Sequence, residues 1–232
     1  PPHGTHVLPW GVDPDIFQPQ TTQNEENPLT VIALGRMVPK KGFQILLQAW
    51  ARVAPDFSQA RLHIGGDGPL LKSLQNQIER LGIDAQTQLP GRIPWNQVPD
   101  FLAGADIFVL PSMRDSEGNI DGLPTVLLEA MSCGLPVVAS KVSGVPLVIE
   151  DQVNGALLAP GDVEALAKQL RHWLENRQER QIIGQAARES VLDSFTWEHI
   201  AIKMTNIFAA AQQPARGASR KGKADKILTI LE

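Results

Sequence analysis

The sequence predicts an α/β fold in which a parallel sheet is covered by helices on both faces. Three observations carry that expectation. Strand-length apolar runs alternate with single amphipathic stretches from residue 29 to residue 211, which implies βαβ crossovers. Two of the runs, Ile107–Leu110 and Pro136–Ala139, lack polar side chains, as strands buried on both faces do. The 232 residues, 43% of them apolar, suffice for one large domain or a domain and a half, but not for two full α/β domains.

Each element has its own signal. Residues 1–28 hold six prolines and the polar stretch Gln18–Asn27, so they read as an extended lead-in rather than core. Leu29–Leu34 is the first strand. Phe43, Leu46, Leu47, Trp50, Ala51 and Ala54 recur at helical spacing, and Pro55 ends that helix. Arg61–Ile64 is a second strand, followed by a stripe of Leu70, Leu71, Leu74, Ile78 and Leu81 that Gly82 stops. Gln86–Leu89 reads as a short strand, Val98–Ala103 as a short helix and Ile107–Leu110 as the next strand. Thr125–Met131 is a helix opened by Pro124, then come strands at Pro136–Ala139 and Gly155–Leu158. Asp162 caps a helix with Leu166, Leu170 and Trp173 on one side, and two more helices close the domain. Thr196 announces the last, which carries Ile200, Met204, Ile207, Phe208 and Ala211. The expected organisation is thus a linker at 1–28, the sheet domain at 29–211 and a basic, flexible tail at 212–232.

Charge and cysteine usage exclude several classes. Twenty-one Lys and Arg against 25 Asp and Glu give a net charge of −4, which argues against a nucleic-acid partner. The single Cys133 rules out an intramolecular disulfide and fits a reducing compartment, so the expected location is the cytoplasm. No apolar run approaches the roughly 18 residues of a membrane span. Cys133 and His63 read as packed residues, the five histidines lack metal-ligand spacing, and Asp13-Pro14-Asp15 reads as turn chemistry.

In a parallel sheet, ligands bind beyond the carboxyl ends of the strands. After the first strand comes Gly35-Arg36-Met37-Val38-Pro39-Lys40-Lys41-Gly42, cations and glycines leading into a helix: either a phosphate or diphosphate site or a solvated basic loop. After the second comes Gly65-Gly66-Asp67-Gly68-Pro69, where backbone can approach a ligand. After Ile107–Leu110 follows Pro111-Ser112 and a polar loop with Asp115, Glu117 and Asp121, then Gly122-Leu123-Pro124 and the helix bearing Glu129. That loop is either solvated or a set of acceptors for the vicinal hydroxyls of a sugar or ribose. Cations after one strand and carboxylates after another, on one sheet edge, together describe a sugar-nucleotide site.

Five segments in register resemble the C-terminal half of the family 4 retaining glycosyltransferases, which have the GT-B fold with its Rossmann-like domains. They are Gly35-Arg36 to Lys41-Gly42, Gly66-Asp67-Gly68-Pro69, Ala105 to Ser112, Gly122-Leu123-Pro124 through Glu129-Ala130-Met131, and Gly134-Leu135-Pro136-Val137-Val138. The resemblance implies that Arg36 and Lys41 bind the donor diphosphate and stabilise it as it leaves, with backbone around Gly122 to Thr125 assisting. It implies that Glu129, the second of the family's paired glutamates, bonds the ribose hydroxyls. The first of the pair lies near the donor sugar; here it is Asp121, one methylene shorter, with Glu117 nearby. Arg92 and Ile93 correspond to the segment that contacts the base, Ser112 to the floor of the site, and Gly35, Gly66 and Gly68 to the loops around it. The implied enzyme is a hexosyltransferase of the exopolysaccharide-building kind, with a nucleotide-sugar donor, no cofactor and no essential metal.

By the same resemblance, Leu8 to Asp13 with Phe17 and Pro19 looks like the crossover from a preceding acceptor domain, absent from these 232 residues. This piece is therefore expected to be inactive alone, and the full-length enzyme is allowed a peripheral contact with the inner membrane surface. Two other readings stand beside it. One is a non-catalytic nucleotide-binding or regulatory module, the other a nicotinamide-dependent oxidoreductase, disfavoured by an incomplete glycine fingerprint and by the cations after the first strand.

Overall fold

Six short apolar segments become six parallel strands in the computed structural model, which describes residues 6–20 and 28–212. They are β1 (Thr30–Leu34), β2 (Arg61–Gly65), β3 (Thr87–Gly91), β4 (Ile107–Leu110), β5 (Val137–Ser140) and β6 (Ala156–Leu158). Their spatial order is β3-β2-β1-β4-β5-β6, every pair parallel. The chain winds outward from β1 to β3, then returns to place β4 on the other side of β1, pairing Val31 with Ile107 and Ile32 with Phe108. The connections leaving β1 and β4 consequently diverge, and the crevice between them is the switch point at which such sheets take ligands.

The helices are α1 (Phe43–Val53), α2 (Leu71–Leu81), α3 (Val98–Ala103), α4 (Thr125–Ser132), α5 (Val163–Glu175), α6 (Arg177–Ser194) and α7 (Trp197–Gln212). Alternate strand residues feed two separate cores, as the period of a strand demands. Val31, Ala33, Leu62, Ile64, Val109 and Val138 pack beneath α1, α2 and α5, with Trp50 and Trp173 wholly buried. Ile32, Phe108, Leu110, Val137 and Ala139 pack beneath α3, α4 and α6. β4 is buried at every residue, as expected of a run without polar side chains, and so is β5, including the Ser140 that ends it. β3 lies at the edge, where Pro90 costs no ladder bond on the open side.

Two sequence expectations are adjusted. The third strand starts at Thr87 because Asp84–Gln86 forms a 3-10 turn. There the Gln86 amide donates to the carbonyls of Phe57 (2.8 Å) and Ala60 (3.1 Å). The lead-in also reaches the core: Val12 and Phe17 are buried, and Val12 bridges to Thr196. Phe17's carbonyl accepts from Ser132 Oγ (2.8 Å) and Arg188 (3.2 Å), which fastens it to the end of α4.

Asp13-Pro14-Asp15 forms a turn, its Asp13 carboxylate accepting from Asp15 N at 2.9 Å. Pro9–Ile200 form one compact unit; the other described residues, 6–8 and 201–212, belong to a second. In α7 Ile200 is buried, whereas Met204 and Phe208 are exposed. The polar residues 21–27 and the basic tail 213–232 lie outside the described residues. Among the described residues, no helix is long and apolar enough to cross a membrane.

Candidate functional site

The loops after β1, β2 and β4 are stitched to one another at the carboxyl edge. Gly35 N donates to Gly65 O (3.0 Å), Leu70 N to Met37 O (3.0 Å) and Met113 N to Lys40 O (2.9 Å). Two glycines have a packing reason. At Gly66, φ is +128° and a Cβ would lie 1.9 Å from Gly35 O; at Gly42, φ is +67° and a Cβ would lie 1.9 Å from Pro111 O. Any side chain there would force apart the loops that carry the charges. Gly68 likewise sits against the backbone of Met37, so both glycines of the β2 loop support the β1 loop from behind.

Pro39–Lys41 form a 3-10 turn that aims two lysines across the switch point. Lys40 Nζ lies 2.9 Å from Asp121 Oδ1 and Lys41 Nζ 2.8 Å from Asp121 Oδ2. Ser112 Oγ, wholly buried beneath, donates to Asp121 Oδ2 at 3.4 Å. The carboxylate is only 11% exposed. Its burial pushes the Asp121 pKa up, but hydrogen bonds from Lys41 and Lys40 and their charges outweigh that and hold it below the usual carboxylate range.

The three acids of the β4 loop have three different surroundings. Asp115 folds the loop itself, accepting from the backbone N–H groups of Glu117 (3.0 Å) and Asn119 (2.8 Å). Glu117 is exposed and accepts from Asn119 Nδ2 at 3.3 Å. Asp121 alone is buried against the lysines.

These side chains, with exposed Arg36, surround a cleft of about 610 Å³ lined by Arg36, Lys40, Lys41, Asp115, Glu117 and Asp121 among others. Gly35 adjoins it, since a Cβ there would lie 3.2 Å from the Lys41 stem. Glu129, Arg92 and Ile93 are not part of that lining. Glu129 is half-buried on α4, one turn beyond Thr125; burial pushes its pKa up, and a hydrogen bond from the Thr125 hydroxyl offsets this in part. Gly122, Leu123 and Pro124 lead into α4, with Pro124 at its N-cap.

Arg92 is exposed after β3, and Ile93 packs near Gly65 on the far side of β2. Burial pushes the Cys133 thiol up to about 12, in keeping with a packed residue. Lys40 is not distinguished from its neighbour Lys41 by the sequence alone. Its only signal is the doublet Lys40-Lys41, and its partner lies 81 positions away, on the other side of the switch point.

A doubly wound sheet whose switch-point crevice is walled by cations and carboxylates belongs to the Rossmann-like α/β class. The profile described as "Glycosyl transferases group 1" matches residues 15–190, and the chain belongs to that family. The amylovoran biosynthesis glycosyltransferase AmsK of Erwinia amylovora is 32% identical over 203 residues, covering 88% of this chain and 50% of its own length. The chain thus spans about half the length of the curated relatives it matches.

Among solved structures, HepE of Anabaena in complex with UDP superposes with a TM-score of 0.75 at 26% identity, over 86% of this chain and 56% of that one. The C-terminal domain of the group 1 glycosyl transferase LpcC of Francisella tularensis gives 0.72 at 25%, over 80% of this chain and 99% of that one. The domain is therefore of the GT-B Rossmann-like kind, and glycosyl transfer is favoured over the oxidoreductase and regulatory-module readings.

Proposed function

We propose that this chain is the C-terminal, donor-binding half of a family 4 retaining glycosyltransferase. The enzyme passes a hexose from a nucleotide-sugar to a saccharide or lipid-linked acceptor in polysaccharide synthesis. The observation that carries this reading is the convergence of Arg36, Lys40 and Lys41 on the switch-point cleft, opposite Asp121. Fixed cations there stabilise the negative charge that grows on a departing diphosphate, the moment at which electrostatic stabilisation accelerates reaction. Glu129 accepts the ribose hydroxyls, Asp121 or Glu117 faces the donor sugar, and Arg92 and Ile93 meet the base.

The LpcC domain, nearly all of which this chain matches, supports the C-terminal placement, and the UDP held by HepE supports the nucleotide. An acceptor domain precedes this one, joined through residues 1–28, and positive side chains serve in place of an essential metal. The enzyme works in the cytoplasm, with a peripheral contact at the inner membrane surface.

Titration calorimetry with UDP, GDP and ADP tests the site. Arg36→Ala and Lys41→Ala each weaken binding by about 1.5–3 kcal/mol, the scale of hydrogen bonds to charged groups, and chelator leaves wild-type affinity unchanged. Unchanged affinity in both variants overturns the assignment.

A further inference from the structure

The cleft that this reading assigns to a diphosphate is not a basic pocket. Arg36, Lys40 and Lys41 face Asp115, Glu117 and Asp121, three cations against three carboxylates. Asp115 spends its carboxylate on its own loop, leaving Asp121 as the buried anion that both lysines address. Each of its oxygens holds one ammonium at ordinary ion-pair distance.

A diphosphate entering the cleft needs those same ammonium protons and brings negative charge beside a carboxylate, so the two anions compete for one pair of donors. The lysines are not equivalent. Lys41 is 12% exposed and Lys40 34%, while the Lys40 backbone is pinned by the bond from Met113. Lys40 thus has a fixed root and a side chain with room to turn between Asp121 and the cleft.

We infer that Lys40 is a diphosphate-binding residue in its own right, and that the Asp121 carboxylate is the exchangeable counter-ion of Lys40 and Lys41, displaced from both by the incoming diphosphate. The inference rests on the donor-site reading and adds to it an ion exchange at the heart of binding. Asp121 keeps two like charges folded close together and aimed at the cleft, at the cost of affinity for the ligand.

The test is calorimetry of UDP, GDP and ADP, without sugar so that contacts to a hexose do not enter, on wild type, Lys40→Met, Asp121→Asn and the double variant at fixed ionic strength. Asp121→Asn tightens binding about 10-fold, because a competing charge is gone while the side-chain shape remains. Lys40→Met weakens it about 10-fold in the Asp121→Asn background and by a smaller factor in wild type, where the ion pair that Lys40 gives up offsets part of what it gains. A Lys40→Met effect that vanishes once Asp121 is neutral overturns direct binding, since Lys40 would then act only through the carboxylate. Weaker binding by Asp121→Asn overturns the counter-ion role.

Should Asp121→Asn fail to fold, ionic strength decides. Wild-type affinity falls more steeply with salt than that of Lys40→Met, and equal slopes overturn the inference. Binding abolished by Lys41→Ala but indifferent to Lys40 leaves the donor site standing and removes this inference alone. If no form binds any of the three nucleotides, wild type included, both fall.

Discussion

Glu129 and Asp121 are carboxylates of the same helix-and-loop segment, yet their environments move them in opposite directions. Burial pushes both pKa values up; two lysines reverse the effect at Asp121, whereas at Glu129 only the Thr125 hydroxyl opposes it. A carboxyl whose folded pKa is raised binds more protons in the folded than in the unfolded chain. Stability therefore falls as pH climbs from the ordinary carboxylate range through the folded pKa. Glu129→Gln removes that penalty: thermal unfolding shows a higher Tm than wild type at pH 7.5, with the gap closing toward pH 4. A lower Tm at neutral pH would sink the argument. The same variant loses nucleotide affinity if Glu129 serves the ribose, so the position trades stability for binding. The charged character of these loops was legible in the sequence. Which lysine meets which acid was not, because Lys40 and Asp121 are neighbours only through the adjacency of β1 and β4.

At the scale of the element, local chemistry was a sound guide. Val98–Ala103 and Ile107–Leu110 fall where apolar pattern places them, and Asp162 caps α5 by accepting from Ala165 N at 2.9 Å. Asp162→Ala lowers unfolding free energy by about 1 kcal/mol in urea titration, a cost belonging to the orphan N–H alone. No loss would mean that the first turn of α5 is held by its packing instead. Legibility faded where a distant partner decides the outcome. Gln86 leaves the strand because carbonyls of Phe57 and Ala60 claim its amide, and Val12 and Phe17 enter the core because α4, α6 and the turn before α7 lie beside them. No window of sequence around those residues contains that information. The order of the strands is equally hidden, since each crossover is compatible with either side of β1.

For the whole molecule, the proposed division of labour has a direct consequence. A domain that binds the donor but lacks the acceptor's half binds nucleoside diphosphate and transfers no sugar on its own. Release of nucleoside diphosphate from UDP-, GDP- and ADP-sugars in the presence of saccharide acceptors is the measurement, and robust transfer by these 232 residues would refute the division.

The two large indoles buried between α1 and α5 carry an optical consequence. The chain has no tyrosine and five tryptophans, so absorption at the long-wavelength end of the near ultraviolet, beyond the reach of its phenylalanines, and the emission excited there belong to indole alone. Trp10, Trp95 and Trp197 are open to solvent and to dissolved quenchers. Trp50, its N–H without a hydrogen-bond partner among the described residues, and Trp173, its N–H donating to Glu179, are sealed on the side of the sheet away from α4. Quenching the outer three isolates the colour of one seam, and the protein carries within itself a dye that reports whether α5 is seated on α1.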